Sequence, residues 1–290
     1  MFWQAFAIAI VALFIIVLVY RIISIKRLPV HLRWELMPVP HEKGRSHYGG
    51  SYLEEYEWWR KPRQKSFFSP IKYMVVEIFL LRTIWKNNRT LWPLSLSFHL
   101  GIYLVILTTL LSIISGIFSS PPSALLNTMS GIALAGYILG GLGALALILR
   151  RVIDTSLRAF SSVPTYFNLI LLLAVFTTGI ISWVQPGSYG SDLRVFSREV
   201  ITFGTDTDIT ATLAIHVILS LLFLLYLPWT NMTHFIIKYF TYHDVRWDDN
   251  PQDIGLSRKI NNLVNQTVKW SSPHIGTDDR RTWLDTIGRQ

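Results

Sequence analysis

The chain contains no cysteine among its 290 residues. Disulfides, c-type haem attachment, cysteine-ligated zinc and any iron–sulfur cluster held by this chain alone are therefore excluded. Charged residues are also scarce, at 16% of the chain, whereas a soluble domain carries about 25%. This deficit indicates long stretches that face lipid instead of water. The candidate metal ligands are then mainly the eight histidines.

Five apolar segments are long enough to cross a membrane. A hydrocarbon core of roughly 30 Å needs about 20 helical residues, and such segments lie near residues 2–24, 93–118, 129–149, 163–184 and 208–230. The first lacks preceding positive charge and a small-residue cleavage site, so we interpret it as a retained anchor and not as a signal peptide. A sixth segment, 71–85, carries Lys72, Glu77 and Arg82, which favours a helix at the interface or packed on protein.

The distribution of Lys and Arg predicts the orientation, because basic loops stay on the cytoplasmic side. The segments rich in Lys and Arg are 26–91 with thirteen, 150–158 with three and 235–290 with eight. The segments 119–128 and 185–207 hold none and two. We therefore expect an all-α membrane bundle of five transmembrane helices with its N-terminus outside and the loop 185–207 outside.

The predicted organisation has four parts. These are a transmembrane helix over 1–25, a cytoplasmic loop with an interfacial helix over 26–91, a four-helix membrane domain over 92–240, and a cytoplasmic tail over 241–290. The third span carries closely spaced glycines, which favour close approach of another helix; they are Gly131, Gly136, Gly140, Gly141 and Gly143. The tail is nearly neutral and has no nucleic-acid footprint.

Three histidines lie at membrane depth, where ionisable side chains are functional candidates by default. His99 lies near the predicted cytoplasmic start of the second span, and His216 and His234 bracket the fifth. Eighteen residues correspond to five helical turns, so His216 and His234 would share one face, although Pro228 between them would kink the helix. Because the second and fifth spans run in opposite directions, His99 and His234 fall at the same depth.

This pattern points to haem. A low-spin b haem takes two axial imidazoles from facing helices, each oriented by a second hydrogen bond. The sequence therefore predicts that His99 and His234 share one haem. His216 has no histidine to pair with on the second span, since Thr109 is not an ordinary strong ligand. For His216 a five-coordinate haem, an unidentified sixth ligand, quinone contact and simple helix packing all stay open, and hydrogen bonding between helices is the alternative for each histidine.

The segment Ser97-Phe-His99-Leu-Gly101-Ile, with His216 and His234 further on, resembles the gamma subunit of respiratory nitrate reductase. The resemblance covers roughly residues 92–240 and implies five spans carrying two b haems. It implies that His99 and His234 hold the cytoplasmic-side haem and that His216 is a third ligand. The fourth ligand of that family falls on Thr109 here, which departs from its pattern.

A narrower resemblance rests on the loop and tail, through His31-Leu-Arg33-Trp34-Glu35, Gly49-Gly50-Ser51-Tyr52, Trp247-Asp-Asp and Trp270-Ser-Ser-Pro273-His274. These segments resemble the cytochrome b subunits of membrane redox complexes from sulfate-reducing and related anaerobes, including relatives of the membrane subunit of heterodisulfide reductase. The resemblance implies menaquinone as electron carrier and a cytoplasmic iron–sulfur partner of the heterodisulfide reductase type. In several such complexes a periplasmic multihaem cytochrome c is also present.

The loop 26–91 offers further candidates. An aromatic and arginine cluster is formed by Trp58, Trp59, Arg60 and Arg63. It favours a docking hot spot, and an aromatic belt at the membrane surface is the alternative. Arg33 and Arg45 are candidates to neutralise haem propionates. This prediction rests only on their expected position on the cytoplasmic side.

The leading hypothesis is a haem b electron-transfer subunit in a bacterial or archaeal cytoplasmic membrane, exchanging electrons between menaquinone and a cytoplasmic iron–sulfur partner. The competing hypothesis is a haem-free membrane anchor that assembles a redox complex, with the histidines serving helix packing. A transporter is less favoured, because the sequence shows no pair of broken spans with charged residues at mid-membrane.

Overall fold

The structure, a computed structural model, describes residues 2–28, 56, 66–187, 189–204, 209–247, 254–268 and 281–287. Within these ranges the extended elements are one isolated bridge, Thr267 to Thr282, and every longer element is helical. We number the α-helices in chain order: α1 Phe2–Lys26, α2 Phe68–Leu80, α3 Arg82–Asn87, α4 Trp92–Ile117, α5 Ser123–Ile153, α6 Thr155–Ala159, α7 Val163–Trp183, α8 Tyr189–Thr202, α9 Ala211–Tyr226, α10 His234–Phe240, α11 Ile254–Val264 and α12 Trp283–Ile287.

Five of these helices are long and apolar enough to cross a membrane, which confirms the predicted all-α fold with five spans. They are α1, α4, α5, α7 and α9 with its short extension to Trp229. The third span begins at Ser123, earlier than predicted, because it follows directly on Pro121-Pro122 and runs without a break to Ile153. The protein is therefore a multi-pass membrane protein.

The closest helix packing is between α4 and α5. A Cβ atom added to Gly101 would lie 2.8 Å from the carbonyl oxygen of Gly136 and closer still to the backbone of Gly140. One added to Gly143 would lie 2.6 Å from the Cα of Phe98. The hydroxyl of Ser97 donates across the same interface to the Leu139 carbonyl at 2.9 Å. The glycine pattern of the third span was therefore interpreted correctly as a close helix contact.

The sixth apolar segment forms a short helix that packs on protein, as one of the two predicted alternatives. Helix α2 has 13 residues and ends where Leu81 adopts a left-handed backbone conformation, with φ of 49°. Two side chains of α4 donate to its last carbonyls: the Tyr103 hydroxyl to Ile78 at 2.8 Å and the Trp92 indole to Leu80 at 2.7 Å. Carbonyls that a helix end leaves unpaired are thus satisfied by the neighbouring span.

The segment 185–207, which the sequence suggested to be a loop, contains helix α8. Its polar composition means that apolar content alone does not predict this helix. Tyr189 and Ser197 on it are nevertheless buried against the bundle. Arg194 and Arg198 both donate to the Phe118 carbonyl just beyond α4, at 2.8 and 3.3 Å. Basic side chains at the end of a helix satisfy its unpaired carbonyls and oppose its dipole, so α8 closes one end of α4.

The fifth span is interrupted more completely than a proline kink would require. After α9 the chain forms a 3-10 turn over Leu227–Trp229, becomes extended at Thr230, and forms a second 3-10 turn over Asn231–Thr233 before α10. The Thr230 hydroxyl oxygen accepts from the backbone N–H of Met232 at 3.1 Å, as an N-cap does. Counting helical turns from His216 therefore does not place His234, because the two residues do not belong to one helix.

The chain divides into two compact units, of which the first comprises Met1–Pro29 with Met37–Phe240 and the second Val30–Leu36 with Thr241–Gln290. In the described part of the second unit a π-helical segment, Thr241–Arg246, is followed by α11 and α12. The backbone N–H of Val268 donates to the Arg281 carbonyl at 2.9 Å. The three candidate histidines all lie in the first unit.

Candidate haem site

His99 and His234 lie side by side in the structure. Their ring centroids are 6.2 Å apart and their ring planes are inclined by 74°. His99 is on α4, seven residues after its first residue, and His234 is the first residue of α10. The interruption of the fifth span is what turns the chain so that His234 faces α4.

The spacing of the two rings fits two axial imidazoles on one metal ion. Metal–imidazole bonds are about 2 Å long, and a ring centre lies about 1 Å behind its nitrogen, so ligands on opposite sides would have centres about 6 Å apart. Among the described residues no group of three or more His, Cys, Asp or Glu could hold a metal ion. Two histidines are insufficient for a closed zinc site, but they are sufficient for a haem, whose macrocycle supplies the other ligands.

A hydrogen bond orients the ring of His99 for ligation. The Nδ1 of His99 lies 2.7 Å from the Ser95 carbonyl oxygen, which can only accept, so Nδ1 carries the proton and Nε2 keeps its lone pair. The backbone N–H of His234 donates to the Asn231 carbonyl, which fixes the start of α10. Desolvation lowers the pKa of His234, and the Lys238 charge adds to this effect against the raising effect of Asn231. The His99 ring thus has the second partner that a ligating histidine normally shows.

A buried asparagine on α7 fixes the turn that carries His234. Asn168 is 5% exposed and donates its amide N–H to the side-chain oxygen of Asn231 at 3.0 Å. Its own amide oxygen accepts from the Tyr226 hydroxyl, also at 3.0 Å. One amide thereby joins the last residue of α9 to the turn before α10, on both sides of Pro228.

We expect Asn168→Leu to destabilise the protein by about 1–3 kcal/mol, because it removes both hydrogen bonds of a buried amide, those with Asn231 and Tyr226. The ring of His234 would lose its fixed position, so bound haem would also be lost more readily during purification. Thermal unfolding and haem content measure the two effects. Asn127→Leu is the matched control, because Asn127 is an exposed asparagine on α5; equal effects of the two substitutions would contradict the assignment.

His216 lies in a different, buried polar network. It is 5% exposed, and its Nε2 is 2.9 Å from the Tyr137 hydroxyl, which is 2.6 Å from the Tyr189 hydroxyl. Its Nδ1 is 3.3 Å from the hydroxyl of Thr178, which donates to the Ala174 carbonyl. Nδ1 is therefore the protonated nitrogen, and Nε2 accepts from Tyr137. Burial raises the pKa of Tyr189 to about 12, so this phenol stays protonated and can donate onward.

Three residues of this network were not predicted from the sequence: Tyr137, Tyr189 and Thr178. Tyr137 could have been found, because it is a polar side chain in the middle of a span and polar groups there need partners. Thr109, at the position of the fourth family ligand, is exposed, and its hydroxyl donates to the Val105 carbonyl of its own helix at 3.0 Å. The structure brings His99 and His234 together and does not bring Thr109 into the network around His216.

The remaining predicted site residues lie outside the described residues. They are Arg33 and Arg45, the candidates for propionate contact, together with the cluster of Trp58, Trp59, Arg60 and Arg63.

A known protein family matches the part of the chain that contains the three histidines. The model for the nitrate reductase gamma subunit matches residues 67–247, more than half of the chain. The chain belongs to the nitrate reductase gamma subunit family. The match spans all of the helices from α2 to α10, and it includes His99, His216 and His234. The family resemblance stated from the sequence is thereby confirmed.

A curated relative supports the same assignment to the gamma subunit family. The chain is 24% identical over 258 residues to the Hdr-like menaquinol oxidoreductase cytochrome b-like subunit of Archaeoglobus fulgidus. The alignment covers 77% of this chain and 73% of the relative. No solved structure matches this member of the gamma subunit family.

Proposed function

We propose that this protein is the haem b-carrying membrane subunit of a respiratory complex, and that it transfers electrons between menaquinone and a cytoplasmic iron–sulfur partner. The observation that carries the proposal is the pair of rings of His99 and His234, 6.2 Å apart in a membrane bundle. Family membership supports the haem, and the name of the archaeal relative supports menaquinol as the quinone.

His99 and His234 would hold the haem through their imidazole rings. A bound haem supplies reversible one-electron transfer. The chain would contribute the two imidazoles and the Ser95 carbonyl that orients the ring of His99. Arg33 and Arg45 are proposed to neutralise the propionates.

His216 is proposed as a ligand or contact of a second cofactor, a haem or a quinone. Its Nε2 accepts from Tyr137, so ligation through this nitrogen would require Tyr137 to find another partner. The nearby Tyr189 hydroxyl offers one, since it already lies 2.6 Å from the Tyr137 hydroxyl. Haem content per chain separates the possibilities: two haems favour ligation by His216, and one favours the other roles.

The proposed partners rest on the resemblance of the loop and tail to cytochrome b subunits related to heterodisulfide reductase. With no cysteine, any iron–sulfur cluster in the complex belongs to another subunit. We propose a heterodisulfide reductase-type protein on the cytoplasmic side and, in some complexes, a periplasmic multihaem cytochrome c. The proposed location is the cytoplasmic membrane of a bacterium or archaeon, with residues 26–91 and 241–290 facing the cytoplasm by the positive-inside rule.

A direct test is anaerobic mixing of the purified protein with menadiol, a soluble menaquinol analogue. We expect the absorbance of a reduced b-type haem to appear and to disappear again on addition of excess menadione. A purified complex that contains no haem would contradict the proposal and favour the haem-free anchor. Haem that dithionite reduces and menadiol does not would contradict the quinone part alone.

A further inference from the structure

A partly buried ion pair lies one helical turn from His234. The ammonium of Lys238 on α10 is 2.8 Å from the Oε1 of Glu77 on α2. The Glu77 side chain is 4% exposed and that of Lys238 30%. The other oxygen, Oε2, accepts from the backbone N–H of Thr83 at 3.0 Å, so the carboxylate is fixed at the junction between α2 and α3.

Stability alone does not explain this pair. Removing the Glu77 carboxylate from water costs free energy, and a buried ion pair often stabilises a protein less than apolar side chains of the same size. Two apolar residues at these positions would join α2 to α10 without that cost. The two charges therefore indicate an electrostatic role, which apolar residues could not perform.

The position of Lys238 suggests the role. It follows His234 by four residues, which places the two side chains on the same side of α10, one turn apart. At that spacing the Lys238 ammonium acts electrostatically on the ring of His234. A positive charge beside a ligand opposes additional positive charge on an iron bound to that ligand.

We propose that Lys238 and Glu77 set the reduction potential of the haem held by His99 and His234. This inference rests on the proposed function. The Lys238 ammonium favours the ferrous state, because ferric iron carries one more positive charge, and the Glu77 carboxylate holds the ammonium in place and partly offsets it. Lys238 and Glu77 are positioning and electrostatic residues, not ligands.

Redox titration of the purified haem protein tests the inference. At the wild-type midpoint potential, Lys238→Gln is expected to lower the ratio of reduced to oxidised haem about tenfold, as for a unit charge in a medium of intermediate dielectric constant. Glu77→Gln is expected to raise the ratio, since an amide can still accept from Thr83 but no longer offsets the ammonium. Lys238→Arg keeps the charge and is expected to restore the wild-type ratio within a factor of about two.

Lys72→Gln is the matched control, because it removes the same charge from an exposed position on α2. Shifts of the same sign in Lys238→Gln and Glu77→Gln, or no shift in either, would contradict the inference and leave the pair as a structural link. Normal haem content with unshifted potentials would contradict this inference alone, whereas absence of haem from the wild-type complex would contradict the proposed function as well.

Discussion

Replacement of either His99 or His234 by alanine is expected to remove the low-spin b-type spectrum of the haem that they share. The two rings lie 6.2 Å apart, so each variant leaves the iron with one protein ligand and an open position. Reduced-minus-oxidised spectra of detergent-purified protein measure the effect as loss or strong weakening of the alpha band, and the double variant is expected to lack this haem completely.

Two further histidine variants serve as controls for this prediction. His243→Ala is expected to keep the full spectrum, because His243 belongs to the second compact unit and has no proposed cofactor role. His216→Ala is expected to keep the haem of His99 and His234 and to change only a second haem, if one is bound. An unchanged alpha band in His234→Ala, in protein that folds and assembles normally, would contradict the proposed ligand pair.

Enlarging Gly101 is expected to be the most damaging single change in the packing of the bundle. The Cβ of alanine would collide with the backbone of Gly140 and lie 2.8 Å from the carbonyl oxygen of Gly136. Backbone atoms cannot move aside as a side chain can, so α4 and α5 must separate. Overpacking of this kind costs about 1–3 kcal/mol or more. Since Gly101 is two residues from His99, haem content should fall together with thermal stability.

Gly131→Ala is the matched control for Gly101→Ala. Gly131 lies on α5, and a Cβ there would have no neighbour within 4 Å. Alanine also favours a helix over glycine by about 1 kcal/mol, so this variant is expected to be neutral or slightly more stable. Thermal unfolding of both proteins in the same detergent makes the comparison. Equal unfolding temperatures for the two variants would show that the close contact of α4 with α5 does not constrain the fold.

The five spans could be predicted from sequence because length and apolar composition determine membrane insertion almost without tertiary information. The juxtaposition of His99 with His234 could be anticipated for a similar reason: antiparallel neighbours bring residues near the start of one span and the end of another to one level. The close contact at the glycines of α5 followed from their spacing, because small residues on one face admit a neighbouring backbone.

Other features could not be derived from the sequence, each for a physical reason. Helix α8 has a mixed polar composition, and what orders it is contact with the end of α4, through Arg194 and Arg198. The break after Tyr226 depends on Asn168, 58 residues earlier in the chain. Pro228 predicts a disturbance of the helix but not the two 3-10 turns that follow, since tertiary hydrogen bonds decide between a kink and an interruption.

The network around His216 illustrates the same limit. Tyr137, Tyr189 and Thr178 lie on three different helices and meet only when α5, α7, α8 and α9 pack. No spacing within a single helix reveals such a network. The sequence offers one indication for Tyr137: a polar side chain within a span needs a hydrogen-bond partner.

The most direct test of the proposed haem ligation is low-temperature electron paramagnetic resonance of the oxidised, purified protein, combined with haem determination. Two imidazoles on one iron are expected to give a low-spin ferric signal that accounts for one haem per chain. In His234→Ala we expect this signal to be replaced by a high-spin signal or to vanish. A wild-type protein with no haem, or with high-spin haem only, would contradict the claim that His99 and His234 ligate the same iron.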